Sequence, residues 1–244
     1  MTNEERFQLA MEQVIGKEKN FRGIGTYGEK CLHAILKYYF EPDDSLHEIP
    51  VNGFIADIQN QHGIFEIQTR NFDKLRKKAA VFLDQGPLTV VHPILHQKWL
   101  CWIDEQTGTV SPKRKSPKTG TVYDAAKELY KIKPLLAHPN LTLCLIFLDA
   151  VEYRLLNGWS ADKKKGSTRS KIVPSAFYRT VSFNTSNEYR NVFIPAEIPH
   201  PFTAKEVAMV TRARINQVRL LMTCLTSVGA IQKVGKRGRE YIYQ

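Results

Sequence analysis

Val51-Asn52-Gly53-Phe54-Ile55-Ala56-Asp57-Ile58-Gln59-Asn60-Gln61-His62-Gly63-Ile64-Phe65-Glu66-Ile67-Gln68-Thr69 reads as two strands, about 51–59 and 64–69, joined by a tight turn. A two-residue loop at Gln61-His62 puts Asn60 opposite Gly63. Asp57 then faces Glu66, Ala56 faces Ile67, Ile58 faces Phe65 and Phe54 faces Thr69. One side of the hairpin becomes Phe54, Ala56, Ile58, Phe65, Ile67 and Thr69, an apolar face for a core. The other carries Ile55, Asp57, Gln59, Ile64, Glu66 and Gln68. Two carboxylates directly opposite one another repel unless something compensates them. A divalent cation with oxygen ligands is a natural compensator. The plain alternative is an exposed face on which both side chains splay into water.

The flanking sequence builds layers around this hairpin. Residues 4–18 form an amphipathic helix with Phe7, Met11, Val14 and Ile15 on one side. A second helix, about 26–40, carries Leu32, Ile35, Leu36 and Tyr39 on its apolar stripe. Glu29 lies three and seven residues before Leu32 and Leu36, so it points along that stripe. It either meets a partner there or serves as a favourable charge at a helix N-terminus. After the hairpin comes a helix over 72–84, with Phe72, Leu75, Ala79 and Phe82 inward and Lys74, Lys77 and Lys78 outward. Strands at 88–95 and 98–103, a basic loop at 111–120, a helix at 123–136 and a strand at 141–148 follow. This order predicts a mixed α/β layer domain over residues 1–150.

Charge divides the chain unevenly. Its formal net charge is +11, yet residues 1–150 are nearly neutral, while residues 151–244 hold 16 basic and 6 acidic residues. Such asymmetry points to a polyanion, most often nucleic acid. Residues 151–200 form a basic connecting region containing Lys163, Lys164 and Lys165, and Pro195–Pro201 forms a stiff linker. The four cysteines are widely spaced and form no CxxC pair, which argues against a disulfide framework or a zinc ribbon. No apolar run reaches membrane-helix length. With a charged N-terminus, the expected location is cytoplasmic.

Residues 201–244 make a compact pattern of their own. Thr203 and Glu206 form a capping box, with Phe202 and Val207 placed for a hydrophobic staple. A short helix, a turn and a second helix, about 212–226, follow. The second helix buries Ile215, Val218, Met222 and Leu225. Arg212, Arg214, Asn216 and Arg219 lie away from that stripe. A strand, the basic turn of Lys236, Arg237 and Arg239, and another strand complete it. The pattern resembles a winged helix-turn-helix, in which outward Arg and Asn suit base edges and phosphates. The alternative is a winged helix used for protein contacts.

Glu29 on a helix, Asp57 on a strand and Glu66-Ile67-Gln68 on the next strand resemble the PD-(D/E)XK nucleases, in their Holliday-junction-resolvase-like or restriction-endonuclease-like branch. The resemblance covers about residues 20–150. It implies a restriction-endonuclease-like mixed sheet flanked by helices, with the winged helix as a second domain. It further implies Asp57 and Glu66 as ligands of Mg²⁺ (Mn²⁺ as substitute), joined by the Ile67 carbonyl and assisted by Glu29. The expected activity is DNA phosphodiester hydrolysis. Gln68 stands where the family has lysine. An amide can orient water but supplies no positive charge, so Lys98, Lys30 or Arg70 are candidates for that cation. The competing expectation is a DNA-binding regulator or scaffold on a nuclease fold without catalysis. DNA is the expected partner, a membrane is not, and a homodimer is left open. Gly23-Ile-Gly-Thr-Tyr-Gly28 matches a dinucleotide-loop pattern but lacks the preceding strand such a site needs. His92 and His96, separated by Pro93 in a strand-like setting, read as ordinary sheet histidines.

Overall fold

The computed structural model describes residues 1–17, 29–104, 106–157 and 168–244; the side chains of residues 16, 17, 29, 30 and 168–171 lie outside that description. The architecture is mixed α/β, a seven-stranded sheet with helices on it, plus a three-stranded sheet near the C-terminus. Among the described residues no helix is long and apolar enough to cross a membrane.

Helices α1 (Asn3–Lys17) and α2 (Glu29–Phe40) open the chain, followed by β1 (His47–Val51), β2 (Phe54–Asn60), β3 (Gly63–Ile67), α3 (Phe72–Leu83) and β4 (Leu88–Ile103). Next come β5 (Arg114–Thr119), α4 (Ala126–Lys131), β6 (Leu141–Leu155), β7 (Thr168–Phe183) and α5 (Ser186–Phe193). The large sheet runs β1-β2-β3-β4-β6-β7, and β5 pairs with β4. The β2–β3 hairpin is antiparallel and β3–β4 is parallel, so α3 is the crossover between them. Gly63 sits at φ 112, where a Cβ would run into the Pro87 carbonyl; glycine is required there.

The chain groups into two compact units. One comprises 1–47, 95–120 and 146–179. In it Phe7 and Tyr39 meet edge-on at 6.0 Å, and Tyr39 stacks on Phe177 at 5.7 Å. The other comprises 48–94, 121–145 and 180–244. There α3 buries Phe72, Leu75, Ala79, Phe82 and Leu83; each leucine or phenylalanine is worth about 1.5–3 kcal/mol when fully withdrawn from water. The Phe72 N–H at the start of α3 is capped by the Glu128 carboxylate at 2.9 Å.

Residues 201–244 fall within this second unit. They form β8 (Phe202–Thr203), α6 (Ala204–Thr211), α7 (Ile215–Ser227), β9 (Lys233–Arg237) and β10 (Glu240–Tyr243), with β10 between β8 and β9. The expected capping box is present: Glu206 N–H donates to Thr203 Oγ1, and Thr203 N–H to Glu206 Oε2. Phe202 and Val207 are fully buried. Helix α7 packs on α4, and Gln217 Nε2 donates to Asp124 Oδ1 at 3.1 Å.

Several elements differ from expectation. The helix expected over 123–136 is a 3-10 turn, the short α4 and a second 3-10 turn at Lys133–Leu135. Pro134 lacks the N–H that a continuing helix needs. The expected strands 88–95 and 98–103 are one strand, because Gln97 turns inward and its amide donates to the Lys98 and Ser116 carbonyls. The basic loop at 111–120 contains β5, and β7 lies inside the stretch read as a basic connecting region. In both cases pairing with a neighbouring strand overrides a polar sequence.

Candidate functional site

The hairpin pairs Ile58 with Phe65, Gln59 with Ile64 and Asn60 with Gly63, which is the expected register. At Asp57 and Glu66 the carboxylates take over the bonding. Asp57 N–H donates to Glu66 Oε1 at 3.1 Å, and Ile67 N–H donates to Asp57 Oδ2 at 2.8 Å. Each carboxylate thus holds a backbone donor beside the other, and the two are fixed as neighbours.

The carboxylate face is more covered than an open hairpin face would be. Ile64 and Glu66 are both buried, Glu66 at 2% exposure. A buried carboxylate needs a partner, and α3 supplies it: Lys78 Nζ lies 2.7 Å from Glu66 Oε1. This corrects the outward placement of Lys78. It follows Leu75 by three residues and precedes Phe82 by four, so it borders the buried stripe. Its ammonium also lies 5.5 Å from the Phe82 ring centre.

Burial pushes the Glu66 carboxyl up to about 7, and the Asp57 charge pushes the same way; Lys78 opposes both. The set Asp57, Glu66 and Lys78 carries one more negative than positive charge when all are ionised. Taken by themselves, these three groups come to balance when Glu66 holds a proton.

Gln68 does not turn toward this pair. Its side-chain amide donates to the Arg70 carbonyl, its N–H to the Val91 carbonyl, and its carbonyl meets His92 Nδ1 at 2.8 Å. Of the cations considered for the missing lysine, Lys98 is held 2.6 Å from Glu152 in the first unit, Arg70 is exposed, and the Lys30 side chain lies outside the described residues. Glu29 opens α2 in the first unit, and its side chain also lies outside them. Among the described residues no three His, Cys, Asp or Glu side chains converge as a metal-binding group. Among the described residues, Asp57 and Glu66 are the two expected carboxylates that stand together. Their oxygens are of the kind Mg²⁺ takes, and the net negative charge suits a hard cation.

The DNA-facing residues expected on the C-terminal segment, Arg212, Arg214, Asn216, Arg219, Lys236, Arg237 and Arg239, are all exposed. Arg212 ends α6 in a left-handed conformation at φ 56, and Arg214 precedes α7. Some are already matched to acids: Arg237 with Glu206 at 3.1 Å, and Arg219 with Glu240 at 3.6 Å. Lys233 and Lys236 sit over the Tyr241 ring at 4.2 and 5.0 Å. A hollow of about 280 Å³ is lined by Arg219, Thr223, Lys233, Arg239, Glu240 and Tyr241, among others. Lys163, Lys164 and Lys165 lie outside the described residues, as does the Gly23–Gly28 loop.

His92 is buried and its basicity is lowered by desolvation, as a core histidine should be. His96 has a partner that spacing did not reveal: Asp149 on β6, at 3.0 Å, with the imidazole stacked on Tyr178 at 3.7 Å.

The family model described as "Domain of unknown function (DUF8091)" matches residues 30–184, which hold the hairpin, α3 and most of the large sheet. The chain belongs to the DUF8091 family. A protein of Treponema pallidum (strain Nichols), named only as uncharacterized, is 27% identical to this DUF8091 member over 227 residues, covering 91% of this chain and 87% of its own length. No solved structure matches the chain.

Proposed function

We propose that this protein is a Mg²⁺-dependent DNA endonuclease of the PD-(D/E)XK kind, with its reaction centre at the β2–β3 hairpin. The observation that carries the reading is the pairing of Asp57 with a buried Glu66 of raised pKa, with Lys78 2.7 Å away. Asp57 and Glu66 would hold the metal, with the Ile67 carbonyl and, on the resemblance, Glu29. Mg²⁺ bound there would polarise the scissile phosphate and acidify the attacking water. Lys78 favours the ionised form of Glu66 against burial and the Asp57 charge; once released from it, the ammonium can meet the charge that builds on the phosphate. It thus fills from α3 the role that Gln68 leaves open. Residues 201–244 have the element order of a winged helix, and their exposed Arg and Lys would hold duplex DNA. The protein would act in the cytoplasm.

Incubating plasmid and branched DNA with the protein and Mg²⁺ or Mn²⁺ tests the reading. Cleavage should appear with wild type and be lost in Asp57→Asn and Lys78→Met. Binding without cleavage under every condition favours a regulator or scaffold. The engagement of the Gln68 amide with Arg70 is the feature that supports that second reading.

A further inference from the structure

We propose that β5 is a second duplex-DNA contact, a rigid phosphate-binding ribbon in the first unit, separate from the helix-turn-helix. The proposal rests on the DNA-acting part of the reading above and not on its chemistry.

Lys113, Arg114, Lys115 and Lys118 fall between Val110 and Gly120, a stretch without an acidic residue. All four are exposed. Among the described residues, no ion pair or hydrogen bond engages the side chains of Lys113, Arg114 or Lys115. Their backbone is firmly held against β4. Trp99 pairs with Lys115, and Leu100 with Arg114. The buried Gln97 amide donates to the Ser116 carbonyl at 2.8 Å. Ser111 N–H donates to the Trp102 carbonyl at 2.8 Å, and Gly120 N–H to the His96 carbonyl at 2.8 Å. The connection to β4 is pinned too, with Asp104 Oδ1 accepting from Gln106 and Thr107 N–H.

Lysines on an outer strand often serve only to block edge-to-edge aggregation. Here Pro112 and Pro117 already interrupt that edge. Adjacent cations also repel one another, a cost that edge protection does not require. Neighbouring strand residues face opposite sides, so Arg114 and Lys115 offer charge on both sides of the ribbon. Unneutralised cations carried on a fixed backbone lose little backbone freedom on meeting a polyanion. A regular row of phosphates is the partner that suits it.

The test is anisotropy of a mixed-sequence DNA duplex titrated with the full chain across a range of salt concentrations. Wild type is compared with the Lys113→Ala/Arg114→Ala/Lys115→Ala variant. The variant should bind more weakly, with an unchanged thermal midpoint. Its log–log salt slope should be shallower by about 0.9 for each phosphate it no longer neutralises, or about 2.7 for three. An unchanged affinity and slope would overturn the proposal, as would absence of duplex binding by wild type. An equal loss of poly-glutamate binding would overturn it in favour of an acidic protein partner. Cleavage is read separately. If wild type never cuts DNA but the variant shows the shallower slope, the ribbon stands and the endonuclease reading falls.

Discussion

Two buried glutamates in this molecule are treated in opposite ways. Glu152, fully buried in the first unit, is held by two cations: Lys98 at 2.6 Å and Arg154 at 2.8 Å. Glu66, in the second unit, has one cation, Lys78, and a second carboxylate, Asp57, beside it. Glu152 thus faces two cations, whereas Glu66 faces one cation and one like charge. A buried ion pair with enough partners is a closed structural element. A buried carboxylate with a like charge beside it takes up a proton more readily. Burial alone therefore does not define a glutamate's environment; the charges beside it do.

The largest expected effect lies on the structural side. Glu152→Ala leaves Lys98 and Arg154 without their shared partner and should cost about 3 kcal/mol in urea unfolding. A loss under about 1 kcal/mol would remove the contrast between the two glutamates.

The next effect is a pH window. The Glu66 pKa of about 7 lies above its ordinary value of 4.5, so between those values the folded state binds more protons than the unfolded. The stability it contributes is full below about 4.5 and declines as pH rises, until it is lost above about 7. Unfolding followed from about pH 4 to about pH 9 without metal should show a decline of about 2–3 kcal/mol from this group. Lys78→Met should extend the decline to higher pH. A profile for Lys78→Met identical to wild type would separate Lys78 from Glu66.

Metal should act in the reverse sense. At about pH 8, Mg²⁺ at about ten times its Kd should add about 1.4 kcal/mol, read as a higher thermal midpoint. Asp57→Asn should abolish that rise and raise the metal-free midpoint by removing repulsion. An Asp57→Asn protein that still responds to Mg²⁺ would move the metal elsewhere. The smallest effect belongs to the surface. Arg237→Ala breaks an exposed pair with Glu206 and should change stability by less than about 0.5 kcal/mol, while weakening duplex binding.

The hairpin was legible because its determinants are local. Gly63 can take the positive φ at the turn, and strict alternation from Phe54 to Ile58 fixes which residues face each other. The capping box at Thr203 and Glu206 was legible for the same reason. Lys78 was misplaced although a signal existed: its position between Leu75 and Phe82 borders the stripe, but a lysine there looks solvated until a buried acid is known. His96 and Asp149 lie 53 residues apart, and only the packing of β4 beside β6 brings them together. The strand β5 carries too few apolar residues to announce itself, and β7 opens in the polar stretch 168–171.

The sequence by itself determined the α/β class, the β2–β3 register, the capped helix α6 with α7 after it, and the concentration of positive charge after residue 150. Each depends on neighbours a few residues apart or on composition. The tertiary structure decided that Glu66 is buried, that Lys78 and not Gln68 meets it, that β4 runs unbroken past Gln97, and that 111–120 holds a pinned basic strand. Those outcomes depend on which surfaces lose water when distant segments pack, and desolvation has no local signature in the chain.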